Sequence, residues 1–508
     1  MLGIGPVSRE DVVAVARHDA KVVIADDAWA EVRKSREIIE ALADDQEPHY
    51  GVSTGFGALA TRHIPIELRS QLQRSLVRSH AAGSGPEVER EVVRASCCCG
   101  SPPSPRAAPG SARRPCGPTS PCSTPASRPV VYEYGSLGCS GDLAPLAHCA
   151  LALMGEGIVR DAAGVCDPDC RRASPQPASL RSRSPRRKGL ALINGTDGML
   201  GMLLLAITDL RRLLTIADIT GRDECRRSAR HRRRLRRRSP APCVRIPARS
   251  LRRANLRTIM AGSEIRESHR TAACTRVQDA YSLRCAPQVA GAVRDTVDHA
   301  ERVALIELTS AIDNPVITLD GRRRVQRQLS WRTARLRAGL PRHRRRRPGE
   351  HGSERRTDRF LDRARNGGLN AFLAADPGVD SGYMIAQYTQ AAIVSELKRL
   401  AAPASVDSIP SSAMQEDHVS MGWSAARKLR RAIDGLTRVL AIELLTAARG
   451  IELRLPLQPA PASSARSSRA PHRRQPRHPA TDRWLAPEID VAAEPDRHRR
   501  PSSQPPSR

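Results

Sequence analysis

Residues 135–148 read Gly-Ser-Leu-Gly-Cys-Ser-Gly-Asp-Leu-Ala-Pro-Leu-Ala-His, and the tripeptide Cys139-Ser140-Gly141 within them holds the atoms of an electrophile made from backbone. If the amide nitrogen of Gly141 attacks the carbonyl carbon of Cys139 and two waters leave, a five-membered imidazolone ring results, with an exocyclic methylidene carbon from Ser140. No ordinary side chain offers such an electrophile. Glycine suits the third position, because so tight a closure needs a residue without a Cβ and with free choice of φ. The segment is not a nucleophile elbow, since G-x-S-x-G requires glycine where Asp142 stands. A plain thiol nucleophile, Cys139 served by His148, is the competing reading, although isolated Cys and His residues are more often packing residues.

The elements that must position this loop read as helices. Apolar residues recur at three- and four-residue spacing over 27–44, 67–80 and 289–311. Over 423–449 the stripe Leu429, Ile433, Leu436, Leu440 and Leu444 faces away from Arg and Lys, and Gly450 stands where a C-cap belongs. Few strand signals accompany them, so an α-helical bundle is expected. Helices apolar on more than a narrow stripe also suggest burial between subunits. Gly55-Phe56-Gly57-Ala58-Leu59-Ala60 matches a dinucleotide fingerprint, but the polar residues before it make no buried strand. Asn194-Gly195-Thr196 fits a glycosylation sequon but reads as a turn.

Composition alone suggests a nucleic-acid binder: 508 residues carry 83 Lys and Arg against 53 Asp and Glu, a net charge of +30. The charge, however, is confined to islands at 96–128, 171–188, 221–258, 322–347 and 462–508, and the residues between them are net acidic. The islands are rich in Arg, Pro, Ser and Ala and carry almost no apolar periodicity, as in His-Arg-Arg-Arg-Leu-Arg-Arg-Arg at 231–238. Functional basic tails occupy termini or domain junctions, whereas these interrupt helical segments. They read as out-of-frame translation of a GC-rich gene, the rival reading being disordered arginine-rich linkers. Most of the 13 cysteines fall in the islands, without zinc spacing. No metal, no leader and no run of 18 apolar residues is expected, and the chain reads as cytoplasmic.

Seven segments, in order, resemble the aromatic amino acid lyases: Tyr-Gly-Val-Ser-Thr-Gly-Phe-Gly (50–57), Leu-Val-Arg-Ser-His-Ala-Ala-Gly (76–83), the Cys-Ser-Gly segment, Ala-Leu-Ile-Asn-Gly-Thr (191–196), Gln-Asp-Ala-Tyr-Ser-Leu-Arg-Cys (278–285), Ala-Ile-Asp-Asn-Pro (311–315) and Met-Gln-Glu-Asp-His-Val-Ser-Met (414–421). The matching stretches make up about two thirds of the chain, and the islands fill the gaps between them. The resemblance implies a mainly α long-helix bundle with a smaller N-terminal part carrying the prosthetic-group loop. It implies an N-terminal region 1–200 (96–128 and 171–188 aberrant), a helical bundle 201–460 (221–258 and 322–353 aberrant) and a largely disordered 461–508.

By the same resemblance, Cys139, Ser140 and Gly141 form a methylidene-imidazolone autocatalytically, with no external cofactor. Tyr50 matches the base, and a phenol with a reference pKa near ~10 must be held ready by its site to serve at neutral pH. Arg284 matches the grip on the substrate carboxylate, for which a guanidinium fork is suited. Gln278 and Asn194 match orienting amides and Tyr281 a second functional phenol. His80 and Glu416 stand where histidine-specific members hold an imidazole side chain. The implied reaction takes L-histidine to trans-urocanate and ammonia, in a homotetramer whose sites draw on several subunits, without a membrane or nucleic acid. The alternatives are a tyrosine or phenylalanine ammonia-lyase or aminomutase, and a non-catalytic scaffold whose arginine-rich segments bind polyanions. Where the family carries Asn-Phe-His-Gly beside the ring, 322–353 offers arginines instead. Buried unpaired arginines are costly, so impaired folding or activity is expected of the chain as written.

Overall fold

A computed structural model describes residues 7–44, 46–99, 128–138, 141–161, 164–167, 188–225, 255, 258, 260–270, 280–310, 312, 316–317, 323–324, 348–460 and 481–494. Cys139, Ser140 and Gln278 lie outside the described residues, as does most of each arginine-rich island. The described chain is mainly helical, as expected. Its longer helices are Arg9–Arg17, Asp26–Asp44, Arg69–His80, Arg90–Cys99, Leu143–Met154, Asp197–Cys225, Ala286–Leu308, Pro348–Leu361, Met384–Leu400 and Gly422–Glu452. The strands are short: Ser84–Glu87 pairs antiparallel with Tyr132–Tyr134, and Arg128–Pro129, Val159–Arg160 and Cys166–Asp167 form a second small sheet. Two compact units are assembled from discontiguous stretches. The first takes 1–207, 299–340 and 403–430, and the second takes 208–298, 341–402 and 431–508.

In the first unit, Ser8 starts helix Arg9–Arg17 with a capping box: its Oγ accepts the Asp11 N–H at 3.1 Å and its own N–H donates to Asp11 Oδ2 at 3.0 Å. Val12, Val15 and Ala16 of this helix are buried, as are Val92, Val93 and Ala95 of its neighbour Arg90–Cys99. Arg94, on the same buried face, is only 1% exposed, yet it is partnered: its Nε donates to the Val15 carbonyl at 2.8 Å and lies 3.6 Å from Asp19. The helix continues four residues into the first island, burying Cys97, Cys98 and Cys99 as free thiols. Small apolar thiols fit there, where arginines would not. A second cluster joins Leu76 and Val77 to Leu146, Ala147, Ala150, Leu190 and Ile193.

The second unit centres on Phe360, Leu361, Leu369, Leu373, Tyr383, Ile442 and Leu445. Within 461–508, residues 481–494 are described. Here Leu485, Ile489 and Ala492 pack on that core, Arg483 donates to the Tyr383 hydroxyl at 3.0 Å, and helix Ala486–Ala493 forms. Gly450 is not a C-cap either, because the helix runs on to Glu452. A Cβ at this position would come within 2.0 Å of Phe360 Cζ, so the glycine lets the aromatic ring lie against the helix. Segment Gly189–Thr220 is long and apolar enough to cross a membrane, although the sequence holds no run of 18 apolar residues. Its apolar 18-residue window is 94% buried inside the protein, as in a core helix.

Glu443 projects from helix Gly422–Glu452 into this core at 0% exposure. Its carboxylate is fully occupied: Arg356 Nε donates to Oε1 at 2.6 Å, while Thr220 and Ser353 hydroxyls donate to Oε2 at 2.7 and 2.8 Å. Removing one member leaves a buried charge without a partner. Glu443→Ala should therefore cost about 3–5 kcal/mol in denaturant unfolding, and Gly450→Ala about 1–3 kcal/mol through overpacking against Phe360. A change under ~1 kcal/mol in both would contradict this account of the core.

Candidate active site

The ring-forming loop leaves strand Tyr132–Tyr134 and enters helix Leu143–Met154 at Asp142. Gly141 N–H donates to Gly138 O at 2.8 Å, which brings together the residues on either side of Cys139-Ser140. A Cβ on Gly141 would come within 2.2 Å of the Gly195 nitrogen, so close backbone approach demands glycine there. Asp142 fastens the loop from the other side. Its N–H donates to Gly195 O at 2.5 Å, and its Oδ1 accepts the Ser136 hydroxyl at 2.7 Å. Its Oδ2 accepts the Met199 N–H at 2.9 Å, at the first turn of helix Asp197–Cys225. Complete burial pushes the Asp142 carboxyl up to about 7, against the pull of these donors, and the neighbouring Asp197 charge adds to the rise. The described residues around the tripeptide thus suit a tight self-made ring.

Tyr50 sits in a turn closed by Val52 and Ser53 N–H donating to His49 O. Its hydroxyl oxygen accepts the Gly57 N–H at 3.3 Å, and its ring meets Phe56 edge to face. Gln73, only 1% exposed, links this turn to the Asn194 segment. Its Nε2 donates to Gly51 O at 3.2 Å and its Oε1 accepts the Leu190 N–H at 3.1 Å. Asn194 follows helix Lys188–Ile193 and is buried.

His80 ends helix Arg69–His80 with Nδ1 at 2.9 Å from Leu76 O and 3.1 Å from Ser79 Oγ, and the carbonyl contact favours the tautomer with the proton on Nδ1 and Nε2 as the acceptor. Burial lowers its pKa, offset in part by Leu76 O and by the Glu416 charge. Glu416 is paired through its backbone to Ser411, whose hydroxyl also donates to its Oε2 at 3.2 Å. The turn between them holds Ser412, Ala413 and Met414 at positive φ, a run that L residues adopt only under constraint. Ser412 Oγ accepts the Ala58 N–H at 3.4 Å, which brings the Glu416 turn to the Tyr50 segment. Beyond Glu416, Met421 N–H donates to Leu137 O at 2.9 Å and Trp423 Nε1 to Glu133 O at 2.7 Å, so this strip lies along the ring-forming loop.

Tyr50, His80, Gly141, Asn194 and Glu416 therefore belong to one connected set in the first unit. Tyr281 and Arg284 belong to the second, on the short helix Tyr281–Arg284, where the guanidinium carbon lies 5.0 Å from the Tyr281 ring centroid. His148, the suggested partner of a Cys139 thiol, has its Nε2 occupied by the Gly83 N–H at 3.1 Å and its ring against Tyr132. Among the described residues, no group of three or more His, Cys, Asp and Glu side chains could hold a metal ion. Gln73 and Ser411 escaped the sequence reading. A polar residue on the same helix face as Leu76, Val77 and His80 was the one signal for Gln73, and nothing marked Ser411.

A family profile described as aromatic amino acid lyase matches residues 7–472. Histidine ammonia-lyase of Streptomyces avermitilis is 51% identical, over 97% of this chain and 95% of that protein. Among solved structures, a tyrosine aminomutase from Streptomyces globisporus superposes with a TM-score of 0.79 at 29% identity, over 97% of this chain and 96% of the other. Histidine ammonia-lyase from Trypanosoma cruzi gives 0.77 at 27% identity, over 98% and 93%.

Burial holds the His148 imidazole below its usual 6.5. The stability tied to its neutral form is then complete above 6.5 and is lost as pH falls below that value through the folded-state value. Asp142, raised from 3.8 to about 7, acts oppositely: what it contributes is full below 3.8 and is lost as pH rises toward 7. Comparing His148→Gln, which retains an acceptor for Gly83 but does not titrate, with the parent isolates the histidine. Thermal melts from about pH 7.5 to about pH 5.5 should fall less steeply for the variant, and parallel curves would contradict the assignment.

Proposed function

The chain belongs to the aromatic amino acid lyase family, which makes it a carbon–nitrogen lyase, and we propose that it releases ammonia from L-histidine to leave trans-urocanate. The observation that carries this reading is the His80 and Glu416 pair. A carboxylate steadied at one oxygen by Ser411 has its other oxygen available for an imidazole N–H, and His80 Nε2 offers an acceptor in the same neighbourhood. The 51% identity to the Streptomyces avermitilis enzyme supports the same substrate.

A methylidene-imidazolone from Cys139, Ser140 and Gly141, general to the family, supplies the electrophile that activates the substrate for loss of ammonia. The chain's own residues do the rest. Tyr50, whose hydroxyl oxygen is oriented by the Gly57 N–H, takes the Cβ proton. Asn194 and Gln278 orient substrate and ring with fixed dipoles. Arg284 holds the substrate carboxylate through two parallel hydrogen bonds. We read the enzyme as a cytoplasmic homotetramer, and Tyr281, 72% exposed in the single chain, supports a site that it and Arg284 share with other subunits.

The assay is the ultraviolet absorbance of urocanate formed from L-histidine. Slow but measurable turnover is expected, because the arginine-rich islands interrupt the matching segments. Glu416→Gln should raise KM about tenfold or more, and Tyr50→Phe should lower kcat by about 10²- to 10⁴-fold. An aryl acrylate formed from L-tyrosine or L-phenylalanine, with no urocanate from L-histidine, would overturn the substrate. Turnover as fast as that of the 51% identical relative would instead overturn the out-of-frame reading of the islands.

A further inference from the structure

Ser420 lies in the first unit, four residues beyond Glu416, and is 6% exposed. Its Oγ has no hydrogen-bond partner among the described residues, an unfavourable state for a buried hydroxyl. It lies directly against the ring-forming loop: a Cβ built on Gly138 would fall 2.0 Å from Ser420 Oγ. The Met421 N–H to Leu137 O bond holds the two backbones side by side, with Met421 at φ +52°. In the open chain the buried Gly138 carbonyl already has a donor, the Gly141 N–H at 2.8 Å.

Ring closure removes that donor. The Gly141 nitrogen bonds to the Cys139 carbonyl carbon. Its hydrogen and the Ser140 amide hydrogen leave with the Cys139 oxygen as the first water. The Ser140 Cβ–Oγ bond then breaks, and the hydroxyl leaves with the Cα proton as the second. The Gly141 nitrogen ends bonded to three carbons, so Gly138 O is left without its hydrogen bond. The hydroxyl without an acceptor among the described residues thus lies against the residue whose carbonyl would lose its donor.

We propose that Ser420 is a positioning residue for ring formation, its hydroxyl replacing the Gly141 amide as donor to Gly138 O as the ring closes. This rests on the ring chemistry proposed above. Intact-mass spectrometry of the full chain, sampled over time after synthesis, reads closure as the loss of two waters, and circular dichroism checks helix content. Ser420→Ala should close about tenfold more slowly, the order expected for one buried hydrogen bond. Ser420→Thr, which keeps the hydroxyl, should close like the parent. The inference is overturned if Ser420→Ala closes at the parent rate, or if both variants are slowed alike, which would indicate packing. A parent chain that keeps its full mass would overturn the ring chemistry itself and this inference with it, an outcome distinct from closure in parent and variant alike.

Discussion

The buried carboxyl of Asp142 is the constraint on which the candidate site depends. It accepts from Ser136 ahead of the tripeptide and from Met199 behind it, while its own N–H reaches Gly195. Two backbone segments more than fifty residues apart are thereby pressed close enough that glycine is needed at 141. For the ring proposed here, the obstacle is bringing a backbone nitrogen to a carbonyl carbon, and a loop fastened on both sides lowers the cost of that approach.

Around this knot, polar side chains make long-range ties that apolar packing alone would leave loose. Gln73 serves the Tyr50 turn and the Asn194 segment with one amide, donating to one and accepting from the other. Ser411 steadies Glu416 within a single turn, its hydroxyl donating to Oε2. In the second unit, Glu443 gathers an arginine and two hydroxyls beside a core of Phe, Leu, Ile, Ala and Tyr side chains. Arg94 and Arg356 show how this chain buries a guanidinium: each meets a carbonyl or carboxylate at hydrogen-bond distance. The arginine-rich islands carry too few acids to give each of their arginines such a partner.

Much of this was legible in the residue order, for physical reasons. Long amphipathic helices announce themselves by period, and Asp26–Asp44, Arg69–His80 and Ala286–Leu308 lie close to the expected spans. Tyr50, His80, Asn194 and Glu416 were legible because each sits in a run of special residues rather than alone. Other features depend on tertiary neighbours. Gly450 looks like a helix end until Phe360 is set against it. The left-handed run Ser412–Ala413–Met414 contains no glycine to signal it. Ser420 is an unremarkable hydroxyl until the loop it lies against is known.

The three consecutive cysteines at the end of helix Arg90–Cys99 have a separate consequence. Their side chains are buried, and burial raises the thiols of Cys98, to about 12, and of Cys99. Thiolate is the form that alkylating reagents attack. Burial shields all three sulfurs in the native state, so their alkylation is expected to follow opening of the first unit around them. The chain thus carries a built-in clock for local unfolding: the labelling rate at 97–99 would report how often the region beside the ring-forming loop breathes, with no probe added.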